Sequence, residues 1–402
     1  MTTVLSDPEV FGLDESSVTV AVRIDGNGGR HRVLLDGSVV TEAEGPGVHV
    51  HRLEGLTADR DYCIGIEADG AARAVHDGYF PERVRTLPAA RANEVGRFAT
   101  LNDLHFGEPK VGGVLDDQME YGDEGLPGFP LIRDSDDDTP YWRYMNEDAI
   151  AEINAAGVDL AFIKGDIANN GLSWQFEAAA EAFGRFEMPH HAFLGNHDYF
   201  AVRDGASVDG YELLDQAPAP RSVELGGWRL ILLETALPGE DVGGFDEQRR
   251  SWLASQLDET RDAGQPCLLL MHHQPVPPEH AHVFPNTIGI DPADSVPLFE
   301  LLGRHPQLRG VLIGHTHKNR VRYHRASGAL PFIEVQCSKD YPGGWGHYRL
   351  FADGSFRQEV RRTATPRALA HSARCREMFR GGYRAFALGQ LAERSFEVPG
   401  PA

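Results

Sequence analysis

Seven short apolar runs, each typical of a buried β-strand, recur in the larger, second part of this 402-residue chain. They are Phe98–Leu101, Leu160–Lys164, His191–Leu194, Arg229–Leu233, Cys267–Met271, Gly310–Ile313 and Phe332–Val335. Helices are predicted between several of them, at Asp148–Ala156, Trp174–Phe186 and Asp246–Ala263. Apolar strands that alternate with helices are typical of α/β domains whose sheets are covered on both faces. We therefore expect an α/β fold here.

Polar side chains follow five of these runs directly, where each predicted strand ends. They are Asp103 and His105, then Asp166, then Asn196, His197 and Asp198, then His272 and His273, and finally His315 and His317. The carboxyl ends of strands in an open α/β sheet line its ligand crevice, so we expect these side chains to meet at one rim. Each motif alone also fits a turn or a buried structural histidine, but five in one chain favour a site.

The residue types at this rim point to metal binding. Imidazole and carboxylate groups without a thiolate suit manganese, iron or zinc. Seven ligands are too many for one four-coordinate ion, but they suit two metal ions that share a bridging carboxylate. Two metal ions about 3.5–4 Å apart can hold both oxygens of an in-line displacement at phosphorus and deprotonate a water between them.

The five motifs, in this order, resemble those of the calcineurin-like metallophosphoesterase superfamily. They are Asp103-x-His105, Gly165-Asp166, Gly195-Asn196-His197-Asp198, His272 and Gly314-His315-x-His317, and the resemblance extends across residues 96–362. Asp198 after the Gly-Asn-His sequence, and the setting MHHQP of His272, look most like the branch of cyclic-nucleotide and glycerophosphodiester phosphodiesterases. The resemblance implies a four-layer α/β/β/α sandwich with a dimetal centre at its rim.

The same resemblance implies a role for each residue. It implies Asp103, His105 and His317 as ligands of the first metal, Asn196, His272 and His315 as ligands of the second, and Asp166 as the bridge. His273 fits the ligand position less well than His272. His197 would protonate the departing alkoxide as a general acid, and Asp198 would orient its imidazole and tune the pKa of that ring.

The resemblance implies an enzyme whose substrate is a small phosphodiester, such as a cyclic nucleotide or a glycerophosphodiester. A phosphomonoesterase or a nucleotide pyrophosphatase using the same site is the alternative. A recognition protein that uses the metal domain as a scaffold is the third possibility. It would have no need of His197, which binds no metal in this interpretation.

Residues 1–92 are predicted to form a separate all-β domain. Short alternating strands at Ser17–Ile24, Arg32–Leu35, Gly47–Leu53 and Tyr62–Glu67 are separated by turn residues. A tyrosine at position 62 can bury its ring and return its hydroxyl to the upstream backbone, as in the tyrosine corner of β-sandwiches. This stretch resembles a fibronectin type III module, similar to the N-terminal sandwich of purple acid phosphatases.

The phosphoesterase-like domain is predicted over residues 93–363, with an insertion at 106–147. The acidic run Asp134–Asp138 has the spacing of a calcium loop, but Thr139 and Met145 replace the glycine and the closing glutamate, so calcium binding is not expected. The insertion is expected to be a solvated loop or a lid. Its residues Tyr141–Tyr144 either meet the substrate or pack in the core, and the sequence slightly favours packing.

Residues 364–402 are predicted to form a helical, arginine-rich tail. Thr365 has the position of an N-cap and Pro366 that of the first helical residue. Nine arginines and three acids lie between Arg357 and Arg394. The favoured interpretation is a basic helix packed on an acidic body, and the alternative is attraction of a phosphate.

The composition of the chain limits the partners that the protein can bind and its expected cellular location. The formal net charge of −22 argues against bulk nucleic-acid binding, so a small phosphoester is the expected partner. No apolar run is long enough to cross a membrane. The first residues lack the pattern of a secretory signal, and the four cysteines are widely spaced, so a cytoplasmic location is expected. A partner for the β-sandwich is left open.

Overall fold

The computed structural model describes residues 3–26, 29–68, 72–111, 132–133, 139–379 and 381–401. Its first strands are β1 (Val4–Leu13), β2 (Val18–Asp25), β3 (His31–Leu35), β4 (Ser38–Ala43), β5 (Gly47–Leu53), β6 (Asp61–Ala68), β7 (Ala72–Arg73) and β8 (Arg83–Arg85). One sheet has the order β1-β2-β5, and the other has the order β4-β3-β6-β7 with β8 paired to β6. Apolar side chains from both sheets share one core, so this part is a β-sandwich.

Tyr62 makes the corner that the sequence predicts. Its ring is buried in the sandwich core, and its hydroxyl accepts a hydrogen bond of 2.8 Å from the main-chain N–H of Thr57. This bond ties the turn before β6 to the strand itself, and the predicted tyrosine corner is confirmed.

The rest of the chain is built on two six-stranded sheets. Its strands are β9 (Glu94–Leu101), β10 (Lys110–Val111), β11 (Ile132–Arg133), β12 (Leu160–Lys164), β13 (His190–Phe193), β14 (Arg221–Leu225), β15 (Trp228–Leu233), β16 (Cys267–Met271), β17 (Leu308–Ile313), β18 (Arg320–Tyr323), β19 (Pro331–Glu334), β20 (Gly344–Phe351), β21 (Phe356–Arg362) and β22 (Ser395–Val398). Its helices are α1 (Tyr141–Ala155), α2 (Ser173–Phe183), α3 (Gly210–Leu213), α4 (Glu247–Asp262), α5 (Pro292–Gly303), α6 (Pro366–Arg376), α7 (Tyr383–Ala387) and α8 (Leu391–Arg394). The sheet orders are β13-β12-β9-β20-β21-β22 and β14-β15-β16-β17-β19-β18, and β10 pairs with β11.

Strand β15 shows why the domain has four layers. Leu230 and Leu232 point into the core between the two sheets, whereas Ile231 and Leu233 point into a second core beneath α4 and α5. This alternation is the period of two that a strand imposes on its side chains. Apolar side chains of α1 and α2 are buried in the same core as those of the other sheet. The predicted α/β/β/α sandwich is confirmed.

Helix α1 begins seven residues earlier than the sequence pattern suggests, at Tyr141 instead of Asp148. Tyr141, Trp142 and Tyr144 lie in its first turn and are buried in the main core. The aromatic cluster therefore packs, as the favoured interpretation has it, and does not form a substrate-facing loop. The acidic run Asp134–Asp138 lies outside the described residues.

The tail is only partly helical. Helix α6 begins at Pro366, and the Thr365 hydroxyl accepts a 3.3 Å hydrogen bond from the N–H of Ala368, so the predicted N-cap is confirmed. Residues Ser395–Val398, in contrast, form strand β22, which pairs antiparallel with β21 at the sheet edge. The prediction of a helical tail is therefore wrong for Ser395–Val398, because their backbone N–H and C=O groups form hydrogen bonds with β21 instead of within a helix.

Among the described residues, no helix combines the length and the apolar character that a membrane crossing requires.

Candidate metal centre

The strand ends bring the predicted side chains together at one rim between the two sheets. Strands β9, β12 and β13 are parallel neighbours in the first sheet, and β16 and β17 are parallel neighbours in the second. The ligand atoms of Asp103, His105 and His317 lie within 4.8 Å of one another, and so do those of Asp103, Asp166 and His272. All of these side chains are buried except His317, whose side chain is 24% exposed.

The backbone at this rim adopts a conformation that most residues avoid. Five of the seven predicted ligands have positive φ angles: Asp103 (55°), His105 (46°), Asp166 (52°), His315 (62°) and His317 (53°). Non-glycine residues in this region are uncommon, and the strain persists only where surrounding structure imposes it. Such a concentration at one rim is typical of a functional site.

Glycines leave room for the ligands. A Cβ at Gly165 would lie 2.6 Å from Nδ1 of His272, and a Cβ at Gly195 would lie 2.5 Å from the main-chain nitrogen of Asp166 and against its Oδ1. Both distances are shorter than any side chain tolerates. The glycines before Asp166 and Asn196 are thus required by packing against ligands from other strands.

The first group of donors consists of Asp103, His105 and His317. Nε2 of His317 lies 3.5 Å from Oδ1 of Asp103, and Nε2 of His105 lies 3.8 Å from Oδ2 of Asp166. Nδ1 of His105 is 3.2 Å from Oδ1 of Asn169. Nε2 of His105 is buried and has no hydrogen-bond partner among the described residues. An unpaired buried nitrogen aimed at carboxylates fits a metal ligand, since such a group is otherwise costly.

The second group of donors, which includes His272, Asn196 and His315, lies on the other side of Asp166. Nε2 of His272 lies 3.3 Å from Oδ2 of Asp166 and 3.1 Å from Oδ1 of Asn196. Nε2 of His315 lies 2.9 Å from the carbonyl oxygen of Ile288, which leaves Nδ1 as its available nitrogen. Asp166 therefore stands between both groups.

Electrostatics hold His105, His315 and Asp166 in the protonation states that metal binding needs. Burial lowers the pKa of His315 to about 4 and holds the pKa of His105 well below its ordinary value, so both rings are neutral. Burial opposes ionisation of Asp166, but His272 and His197 outweigh it and keep the pKa of that carboxyl well below its usual range. Neutral imidazoles and ionised carboxylates are the forms that bind metal. Burial opposes protonation of His272, but Asp166 outweighs it and raises the pKa of that ring to about 9, so His272 must lose a proton when a metal binds.

His273 remains near the site. Its ring lies 4.5 Å from that of His315, between ring centroids, and its Nδ1 is 2.9 Å from the hydroxyl of Thr235. Its ligand atom also lies within 4.8 Å of those of His272 and His315. Geometry alone thus places both histidines of the pair next to the centre.

The expected partnership of Asp198 with His197 is wrong. The Asp198 carboxylate accepts hydrogen bonds from the N–H groups of Ala168 (2.6 Å) and Gly195 (2.8 Å). Nδ1 of His197 instead faces the carbonyl oxygen of Asn169 at 2.8 Å. Asp198 is buried, and the two loop N–H groups it satisfies would otherwise have no acceptor, so it joins two strand ends.

The structure also reveals polar residues that motif reasoning missed. Asn169 contacts both His105 and His197, and the sequence Asn169-Asn170-Gly171 after Asp166 was its only signal. Asp340 lies 3.7 Å, through Oδ2, from Nδ1 of His317, and no local pattern marks it.

Comparison with known proteins agrees with this geometry. The family model described as calcineurin-like phosphoesterase matches residues 96–319. The chain belongs to the calcineurin-like phosphoesterase family. It is therefore a metal-dependent phosphoric ester hydrolase, and family and donor groups together indicate two metal ions.

Two curated relatives are similar to part of this chain. A 3′,5′-cyclic adenosine monophosphate phosphodiesterase, CpdA, from Pseudomonas aeruginosa is 28% identical over 51% of this chain and 75% of its own length. A probable glycerophosphodiester phosphodiesterase, GpdQ, from Arcobacter nitrofigilis is 30% identical over 40% of this chain and 57% of its own length. Among solved structures, a dimetal phosphatase from Danio rerio is similar at 14% identity with a TM-score of 0.47, covering 67% of this chain and 97% of that one.

Proposed function

We propose that this enzyme hydrolyses a small phosphodiester, such as a cyclic nucleotide or a glycerophosphodiester. The observation that carries the proposal is the position of Asp166, whose Oδ2 lies 3.8 Å from Nε2 of His105 and 3.3 Å from Nε2 of His272. One carboxylate reached by imidazoles from both sides is the arrangement that two adjacent metal ions need. The names of the curated relatives support the diester class.

We propose the ligand assignment implied by the motifs. The first metal takes Asp103, His105 and His317, the second takes Asn196, His272 and His315, and Asp166 bridges them. Each of His105, His272 and His315 has one ring nitrogen on a protein oxygen and presents the other. This is the usual way in which surrounding groups fix the tautomer of a metal-binding histidine. Manganese, iron and zinc suit these donors.

Bound there, two metal ions would neutralise charge on the phosphate and lower the pKa of a water. The chain itself supplies the proton for the departing oxygen. We propose His197 as that donor, because its Nδ1 is fixed on the carbonyl of Asn169 and its ring lies 4.5 Å from that of His105, between centroids. In the imidazolium form, with Nδ1–H on that carbonyl, the ring also carries at Nε2 the proton that the leaving alkoxide takes, and the ring is left neutral.

We further propose the domain limits 1–92, 93–363 and 364–402, and a cytoplasmic location. The sandwich has an apolar core of its own, separate from those of the larger part, which supports the first boundary. Its Tyr62–Thr57 bond supports a fibronectin type III-like module. Strand β22 belongs structurally to the sheet of the second part.

The test is a hydrolysis screen of purified enzyme with added Mn²⁺. We expect turnover of 3′,5′-cyclic AMP or glycerophosphoethanolamine at higher kcat/KM than of the corresponding monoesters. An Asp166→Asn variant is the control, since contaminating phosphatases would survive it. A preference for monoesters or for a pyrophosphate would select the alternative function with the same site.

A further inference from the structure

A buried carboxylate lies behind one of the proposed ligands. Asp340, in the segment between β19 and β20, is 2% exposed. Its Oδ2 lies 3.7 Å from Nδ1 of His317, while Nε2 of the same ring faces Asp103 at 3.5 Å. The imidazole is therefore held between two carboxylates, one at each ring nitrogen.

Asp340 is itself fixed by three neighbours. The thiol of Cys337 donates to its Oδ1 at 2.6 Å, and the hydroxyl of Tyr383 donates to its Oδ2 at 3.0 Å. The ammonium of Lys339 is 3.5 Å from Oδ2. These neighbours hold the carboxylate in place, with Oδ2 directed at His317.

Tyr383 comes from the C-terminal part of the chain, in helix α7. This helix is attached to the loop that carries His317, because the N–H of Asn319 donates to the carbonyl of Ala387 at 2.9 Å. The side-chain amide of Asn319 donates to Leu388 at 3.1 Å. Helix α7 is thus hydrogen-bonded to the segment that carries Asp340, through Tyr383, and to the loop that carries His317, through Asn319.

The ligand atoms of His317, Cys337 and Asp340 also lie within 4.8 Å of one another, which raises the alternative of a third metal ion. The hydrogen bonding of the cluster argues against it, because the Cys337 sulfur donates its proton to Oδ1 of Asp340 and is therefore a thiol, not a thiolate ligand.

We propose that Asp340 is a positioning residue for the first metal site, and that the C-terminal helix α7 is part of that site through Tyr383. Oδ2 of Asp340 faces Nδ1 of His317 at 3.7 Å and favours the proton at that nitrogen, which leaves Nε2, on the side of Asp103, to bind the metal and makes it more basic. The proposal rests on the proposed assignment of His317 as a ligand. It gives the C-terminal segment a role in metal binding that the phosphoesterase motifs do not contain.

The experiment compares Asp340→Asn and Tyr383→Phe with Tyr341→Phe. Tyr341 is the matched control, because its buried hydroxyl is adjacent in sequence but donates to Glu9 at 2.6 Å and not to Asp340. Mn²⁺ and Co²⁺ affinities are measured on chelator-treated protein, together with the visible spectrum of the Co²⁺ form and the melting temperature of the metal-free protein. A His317→Ala variant is measured in parallel.

We expect Asp340→Asn to weaken one of two metal sites by about 10–100-fold and to alter the Co²⁺ spectrum. Tyr383→Phe should weaken the same site by a smaller factor, and Tyr341→Phe should leave both affinities and the spectrum unchanged at a similar loss of melting temperature. If His317→Ala loses one metal but Asp340→Asn binds like the unmodified protein, the positioning role is overturned. If His317→Ala keeps both metals, the ligand assignment itself fails. Three metal equivalents, reduced to two by Asp340→Asn, would make Asp340 a ligand and overturn the proposal.

Discussion

Nδ1 of His272 lies 2.7 Å from the main-chain carbonyl oxygen of Lys164, the last residue of β12. The ring therefore donates Nδ1–H to this carbonyl. Its Nε2, which lies 3.1 Å from Oδ1 of Asn196 and 3.3 Å from Oδ2 of Asp166, is the nitrogen that can bind a metal once its proton is lost. Asp166 follows on the same strand end as that carbonyl. One strand thus supplies the proposed bridge and sets the tautomer of a ligand from the opposite sheet.

This relationship separates the two adjacent histidines. An asparagine side chain can reproduce the Nδ1 hydrogen bond of a histidine but has no group at the position of Nε2. His272→Asn should keep the contact to Lys164, lose one of two metal equivalents and lower kcat by more than the factor of about 10–100 that is typical of replacing a group behind a ligand. Elemental analysis and steady-state kinetics check this.

The control is His273→Asn, which keeps the contact to Thr235. We expect it to retain both metals. The reverse result, with metal lost from His273→Asn and retained in His272→Asn, would move the ligand role to His273.

Asp198 should behave as a structural residue. Asp198→Ala leaves the buried N–H groups of Ala168 and Gly195 without acceptors, which costs about 1–3 kcal/mol each. We expect a lower free energy of unfolding in urea, and a loss of kcat that is equal for good and poor leaving groups. A loss confined to poor leaving groups, at normal stability, would show that Asp198 acts through His197 after all.

The arginines of the tail should also be structural. The guanidinium of Arg394 is 1% exposed and donates to the carbonyls of Val10, Phe11, Leu388 and Gly389. Arg394→Met should lower the free energy of unfolding by about 3–5 kcal/mol, because buried acceptors lose a charged donor. KM for a diester, measured on folded enzyme, should not change.

The exposed Arg374 provides the control for charge. Arg374→Met removes one positive charge and should change the free energy of unfolding by less than about 0.5 kcal/mol. A selective rise of KM in either variant, with an unchanged urea midpoint, would instead support attraction of the phosphate by the tail.

The sequence predicts the donor groups well because each is a local feature, a polar residue that directly follows an apolar run. It does not predict the partners of those groups. Asp198 turns to Ala168 on another strand end, and Asp340 meets Tyr383, which is 43 residues away. Such contacts depend on how loops from different strands pack against one another. The pattern of apolar and polar residues along the sequence does not predict that packing. For the same reason, the sequence pattern alone does not decide whether the aromatic residues Tyr141–Tyr144 pack in the core or meet the substrate.

His371 should contribute to acid sensitivity. Burial and the nearby Arg374 lower the pKa of His371 to about 3 in the folded protein, against about 6.5 for a free histidine. Below pH 6.5 the unfolded chain binds a proton that the folded chain does not, so the free energy of unfolding falls as the pH decreases towards 3. This group accounts for up to about 1.4 kcal/mol per pH unit in that window.

A His371→Gln variant removes the titration, since glutamine can still donate to the carbonyl of Lys339 as Nε2 does at 3.0 Å. Urea unfolding of metal-free protein between pH 6 and 4 should show a shallower pH dependence than the unmodified chain. The exposed His282→Gln is the control and should keep the original slope. Equal slopes for His371→Gln and the unmodified protein would mean that His371 is already protonated when folded.

His197 should be distinguishable from every ligand by its effect on different leaving groups. A ligand supplies metal affinity, whereas a general acid supplies only a proton to the departing oxygen. His197→Ala should therefore keep two metal equivalents and lose about 10²–10⁴-fold in kcat on diesters with high-pKa alcohols. A nitrophenolate departs without protonation, so the loss on a nitrophenyl diester should be much smaller. A glutamine at position 197 could still donate to the carbonyl of Asn169, but its amide is not an acid. His197→Gln should therefore not restore activity on the poor leaving group. Equal losses on both substrate types, or loss of a metal, would assign His197 to the metal centre, where its ligand atom lies within 4.8 Å of those of His105 and Asp166.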